Sequence, residues 1–183
     1  MKAARVCSVL AFGAALAGFA YMYSGLADVA ATSPHWALTG WVLSTTMDRS
    51  VRRHARGIEP PAGFDAEEHV REGAEAYDAM CASCHGAPGV GRGVVGQGLE
   101  PRPPDLSEEA DDWSPAEIFW ITENGVRMTG MPGFGPTHSA DELWDLVAFV
   151  KRLPQMSAAE YRALAPARAD DEHRHHHHHS TDP

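Results

Sequence analysis

Apolar positions are spread unevenly along this chain. Lys2 and Arg5 precede a run from Val6 to Leu26 that carries no charged residue. Its 21 residues match the roughly 20 that a helix needs to cross the hydrocarbon core of a bilayer. A cleavable leader has a shorter apolar core, roughly 7–15 residues, followed by a small-residue site. Val29-Ala30-Ala31 would serve as such a site, so cleavage within residues 1–31 stays open, but the length of the run favours a retained anchor. Lys2 and Arg5 predict a cytoplasmic N-terminus, with the rest of the chain on the far side. Arg49, Arg52, Arg53 and Arg56 pull the other way, but they lie well past the span, where topological weight fades and anionic headgroups are a natural contact. Tyr21, Tyr23, Trp36 and Trp41 suit the membrane interface.

Beyond the run the pattern is helical. Ser33 and Pro34 make an N-cap and first-turn pair for a helix reaching about Arg56. Gly57, Pro60, Pro61 and Gly63 then break the chain. Asp65 with Glu68 resembles a capping box, and Val70, Ala74, Tyr77 and Cys81 follow at helical spacing. Ser114, Pro115 and Glu117 open a second helix that stops at Asn124-Gly125. Ser139 and Glu142 open a third, with Leu143, Leu146, Val147, Val150 and Leu153 on one face and Pro154 closing it. A short helical pattern recurs at Ser157–Leu164. No alternating strand pattern competes. The predicted fold is all-α, with three main helices beyond an N-terminal transmembrane helix. The predicted organisation is an anchor or leader at 1–26, a partly helical juxtamembrane connector at 27–62, a domain at 63–156, and a polar, largely disordered tail at 157–183.

Charge narrows the partners. The net charge is -10, and residues 63–165 hold 18 acidic against 7 basic side chains. That balance disfavours nucleic acid, which needs basic residues to displace counterions. It favours fast encounter with basic proteins. Three cysteines, one of them (Cys7) inside the apolar run, rule out a disulfide framework.

The chemistry lies in Cys81-Ala82-Ser83-Cys84-His85. Two thiols three residues apart share one face of a helical turn, so both can reach the two vinyl groups of one porphyrin edge. The following His85 is carried beneath the ring, where an imidazole nitrogen binds iron. This is the covalent haem attachment pattern. A zinc site would want a second pair of soft ligands, and a thioredoxin-like pair would want a βαβ setting; neither is present in the sequence. The sixth iron position is expected to fall to a methionine, an open position or another ligand being the remaining alternative. Met131 sits in a loop punctuated by Gly130, Pro132, Gly133 and Gly135, where backbone rather than helix packing sets its place. Met128 is the alternative. Met80 adjoins the motif on the histidine side, and Met156 reads as core packing. Thioether ligation opposite histidine raises the reduction potential.

Cys-x-x-Cys-His, then Pro103-Pro104-Asp105-Leu106, then Met131-Pro132 before a terminal amphipathic helix, resembles the class I c-type cytochromes. The chain is particularly similar to membrane-anchored, single-haem bacterial members related to the subunit III domain of cbb3-type oxidases. The resemblance covers about residues 66–154. It implies thioethers at Cys81 and Cys84, axial ligation by His85 and Met131, a Pro104 carbonyl orienting the His85 ring, and Leu106 against the haem. It also implies that Gly73 and Tyr77 meet Trp144 where the first and last helices cross. Arg127 and Trp113 are candidates for the propionates. The anchor, the connector and the tail lie outside the pattern.

Two features mislead by letter. Gly91-Arg92-Gly93-Val94-Val95-Gly96 spells a dinucleotide fingerprint, but that motif needs a preceding strand and a following helix. Here glycines let a loop bend around the haem edge. The five histidines His175–His179 could bind divalent metal weakly. His35, His54, His69 and His138 each stand alone in the sequence. The expectation is a non-enzymatic, one-electron carrier with one haem c. It is held at the bacterial inner membrane by residues 6–26, faces the periplasm, and docks donor and acceptor redox proteins on its acidic domain. A fixed haem subunit of a membrane oxidoreductase or terminal oxidase is one alternative. A haem-based ligand sensor or small peroxidase, needing a vacant sixth position, is another.

Overall fold

The computed structural model describes residues 2–165; the histidine run lies outside them. Those residues are all-α, apart from one isolated bridge between Ala87 and Val90. The first compact unit, Met1–Ser33, holds α1 (Lys2–Ser24). None of the α1 residues is buried against protein, as a span surrounded by lipid requires. The helix starts earlier than the apolar run because Lys2, Ala3, Ala4 and Arg5 are good helix formers. It ends before Leu26 because Gly25 turns left-handed at φ 70°.

The second unit begins at Pro34. Its α2 (Ala37–His54) starts three residues after Pro34; Trp36 is the N-cap, without a side-chain cap, so the Ser33–Pro34 start does not form. The C-terminal half of α2 packs on the domain. Val51 and Ala55 are buried, and His54 stacks on Trp120 with ring centroids 5.3 Å apart.

α3 (Glu67–Met80) runs into the motif turn α4 (Ala82–His85). Asp65 does not cap α3; Ala66 occupies the N-cap, and Glu67 and Glu68 supply the negative first turn. Short turns α5 (Val94–Gln97) and α6 (Leu106–Glu109) follow. α7 (Pro115–Asn124), α8 (Ala140–Arg152) and α9 (Ala158–Leu164) complete the bundle. Each of these last three opens on a reciprocal capping box, at Ser114/Glu117, Ser139/Glu142 and Ser157/Glu160. A cap of this kind contributes about 1 kcal/mol.

The core lies where α3 crosses α8. Val70, Ala74 and Tyr77 face Leu143, Leu146, Val147, Phe149 and Val150, all buried. Each fully buried aliphatic side chain contributes about 1.5–3 kcal/mol. The crossing is close because Gly73 has no Cβ; one built there would collide with the Asp145 carbonyl and the Phe149 Cβ. The partners at the crossing differ from the expected set. Tyr77 meets Phe149 at 5.2 Å, while Trp144 stacks on Phe119 at 4.4 Å. Trp144 is rotated toward α7, where a flat ring can cover Phe119 face to face.

Candidate haem site

The motif turn is held from three directions. Cys84 and His85 N–H groups both bond the Cys81 carbonyl, and Gly86, at φ 75°, ends the turn. The buried Tyr77 hydroxyl donates to the Gly86 carbonyl at 2.7 Å, tying the turn to α3. From the other side Gly93 N–H donates to the Ser83 carbonyl, and Gly96 lies so close to Cys84 that a Cβ there would meet its carbonyl oxygen at 2.6 Å. The Gly-rich 91–96 segment therefore wraps the attachment turn. Neither a strand before it nor a long helix after it exists among the described residues.

The turn opens into a cavity of about 910 Å³. That is at the upper end of the roughly 300–1,000 Å³ range for buried ligand sites. Cys81, Cys84 and His85 line it together with Pro104, Leu106, Ile118, Ile121, Val126, Met131, Phe134, Leu146 and Val150. Its walls are thus mainly apolar, while Asp48, Asp105, Glu108, Glu109 and Asp112 also contribute to the lining.

His85 is buried, and its Nδ1 lies 2.9 Å from the Pro104 carbonyl oxygen. A carbonyl only accepts, so Nδ1 carries the proton and Nε2 keeps a free lone pair. Burial pushes the His85 pKa down, with the Arg92 charge adding to the fall and the Pro104 bond opposing it. The ring is thereby kept neutral, as a metal ligand must be. Cys81 is pushed up to about 12 by burial, and then by the neighbouring Cys84. A thiol so disfavoured as thiolate is a poor zinc ligand and a poor redox nucleophile. Among the described residues the only three-residue cluster with metal-ligand spacing is His69, Glu72 and Asp145, away from the motif.

The loop after α7 is folded back on that helix. Phe134 and Gly135 N–H groups bond the Thr122 and Glu123 carbonyls, both at 2.9 Å. Met131 is fixed through both backbone groups: its N–H donates to Thr129 Oγ1 at 3.1 Å, and its carbonyl accepts from Val126 N–H at 3.1 Å. Met131 is half-buried and lines the cavity. Met128 does not line it; its side chain is 86% exposed at a left-handed φ of 62°. Met80 lines the cavity beside the motif, and Met156 packs against the core.

Trp113 lines the cavity but Arg127 is exposed and outside it. Three other arginines reach it: Arg52, Arg92 and Arg102. Sequence reasoning passed over Arg92, yet its Nε is buried without a hydrogen-bond partner among the described residues. An orphaned guanidinium N–H facing a cavity fits an acidic group of the cavity's occupant, such as a haem propionate. It also passed over Met47, Asp48 and Arg52 of α2, which form part of the wall; Arg52 lies 5.9 Å over the Trp113 ring. Their role becomes legible only once α2 is known to pack here. His69 does not stand alone: its Nδ1 is 2.6 Å from Asp145 Oδ1.

The thiol pair, the neutral imidazole and the large apolar cavity fit one covalently bound haem c. Residues 68–150 match the family described as cytochrome c oxidase, cbb3-type, subunit III, a span that includes the attachment motif, Pro104, Leu106 and Met131. No curated protein matches the chain. A solved chain of the Kuenenia stuttgartiensis reducing HAO-like protein complex Kustc0457/Kustc0458 is 26% identical, over 52% of this chain and 46% of that one, with a TM-score of 0.44. The matched segment therefore spans less than half of that relative's length. Among the described residues α1 alone is long and apolar enough to cross a membrane, and Lys2 and Arg5 before it set the haem domain on the periplasmic side of the inner membrane. By its attachment motif and its apolar N-terminal helix this chain is a membrane-associated c-type cytochrome, and its residues 68–150 are similar to the subunit III family of cbb3-type oxidases.

Proposed function

We propose that the protein is a one-electron carrier whose haem iron is held between His85 and Met131, within a small cytochrome c fold built on α3, α7 and α8. The observation that carries this is the disposition of the methionines: Met131 lines the cavity with its backbone pinned on both sides, while Met128 points to solvent. When bound, the haem supplies the Fe(II)/Fe(III) couple. The rest falls to the chain. Cys81 and Cys84 would hold the porphyrin edge, Pro104 holds the His85 tautomer, and Leu106, Ile118, Val126 and Leu146 give the cavity apolar walls that would keep water from the iron. With His85 and Met131 both bound to the iron, no open position would remain for a substrate, and the bound haem would supply electron transfer without catalysis.

The carboxylates of Asp48, Asp105, Glu108, Glu109 and Asp112 support docking of basic redox partners beside the haem. Two experiments test the reading. Carbon monoxide should fail to bind the reduced protein; ready binding would favour a ligand sensor or peroxidase instead. In mild detergent the protein should be recovered free; recovery only as a stoichiometric complex would make it a fixed oxidoreductase subunit.

A further inference from the structure

Among the described residues, the large apolar side chains of the N-terminal half of α2 are left exposed. Trp36, Leu38 and Trp41 are 81%, 71% and 64% exposed, and Val42 and Leu43 are exposed beside them. These side chains point in nearly every direction around the first two turns, and a helix apolar all round belongs in an apolar medium. The second half of α2 is different. Met47, Val51 and Ala55 form a stripe against the haem domain, while Arg49 and Arg53, with Arg56 just past the helix, continue the outward stripe of Leu38 and Val42. All three arginines are exposed.

From these observations we infer that α2 is a second membrane contact: Trp36–Leu43 sit in the lipid interface, and Arg49, Arg53 and Arg56 rest on anionic headgroups. Three features favour lipid over a protein occupant. Only the stretch 25–36 separates the end of the apolar helix α1 at Ser24 from the start of α2, and within it Ser33 Oγ donates to Asp28 Oδ2 at 2.6 Å. Two tryptophans followed by arginines are the composition of a helix lying at a membrane surface. Charge is also segregated: Asp48 is the sole acidic residue in 37–56 against four arginines, whereas 63–165 carries 18 acidic and 7 basic residues. Anionic lipid would repel that acidic domain and attract α2. Because Met47, Asp48 and Arg52 of the same helix wall the haem cavity, membrane contact would fix the orientation of the haem as well.

The full-length holoprotein, reconstituted in vesicles, tests this. Tryptophan emission is compared between wild type and a Trp36→Phe/Trp41→Phe variant, whose unchanged haem spectrum reports an intact fold. The difference spectrum isolates the two α2 tryptophans. With lipid brominated near the top of the acyl chain, that difference emission should be blue-shifted and strongly quenched. Adding phosphatidylglycerol to phosphatidylcholine should deepen the quenching, and Arg49→Gln/Arg53→Gln/Arg56→Gln should abolish that deepening. Unquenched, water-like emission would overturn the inference. Unquenched but blue-shifted emission would overturn it too, by showing that protein, such as a second copy, covers the helix. Quenching indifferent to phosphatidylglycerol and to the arginine variants would overturn the headgroup contact.

Discussion

The Nδ1 atom of His85 lies 2.9 Å from the carbonyl oxygen of Pro104, and this contact decides which ring nitrogen faces the cavity. The bond also makes the imidazole a stronger donor, because a ligand whose distal N–H is hydrogen-bonded gains basicity. A stronger donor stabilises ferric iron. Replacing Pro104 by glycine keeps a carbonyl but frees the backbone that aims it. The Pro104→Gly protein should therefore have a reduction potential raised by tens of millivolts in a redox titration. An unchanged potential would mean that the ring is oriented by packing alone.

Arg92 brings a positive charge close enough to His85 to help depress its pKa, and its Nε lacks a protein partner among the described residues. A cation near the iron favours the reduced state, and pairing with a propionate acts in the same direction by cancelling a negative charge. Arg92→Gln should lower the potential by tens of millivolts, whereas Arg127→Gln, at an exposed position outside the cavity, should leave it nearly unchanged. Equal shifts for the two variants would reject the assignment.

Gly73 lets α3 and α8 touch. Alanine is the better helix former by about 1 kcal/mol, so an open site would gain stability. Here the added methyl meets the Asp145 carbonyl and the Phe149 Cβ. Overpacking of this sort costs about 1–3 kcal/mol. Gly73→Ala should lower the denaturant midpoint with an unchanged m-value, a net loss of up to about 2 kcal/mol. A stabilised variant would show that the crossing is loose.

His69 has its pKa raised, first by its hydrogen bond to Asp145, then by the charges of Asp145, Glu68 and Glu72, with desolvation opposing. A folded-state pKa above the unfolded one adds stability that is fully present below the ordinary histidine value of about 6.5. That stability is lost as pH rises through the raised folded value. Asp145→Asn should thus destabilise the protein more at about pH 6 than at about pH 8.5, read from denaturant midpoints. Equal losses at the two pH values would mean that the pair contributes no charge-dependent stability.

The parts legible in the sequence were those encoded locally. Cys81-Ala82-Ser83-Cys84-His85 announces its chemistry by spacing alone, and Ser114/Glu117, Ser139/Glu142 and Ser157/Glu160 each form the capping box their letters spell. The Ser33 and Asp65 starts carry comparable letters but remain uncapped, because their backbones place the chain's entry three and one residues further on, at Trp36 and Ala66. What stayed hidden depends on long-range packing. The 2.6 Å contact of His69 with Asp145 joins residues far apart in the chain. Likewise Val51 shows no periodic mark that tells a buried connector from a free one, and Arg92 was masked by a glycine pattern that pointed to another chemistry.

The central claim is that Met131 completes the coordination opposite His85, and the far-red methionine–iron charge-transfer band of the oxidised protein tests it most directly. The wild type and Met128→Ala should both show the band, and Met131→Ala should lose it and bind carbon monoxide when reduced. A band that survives Met131→Ala, or that disappears with Met128→Ala, would contradict the account.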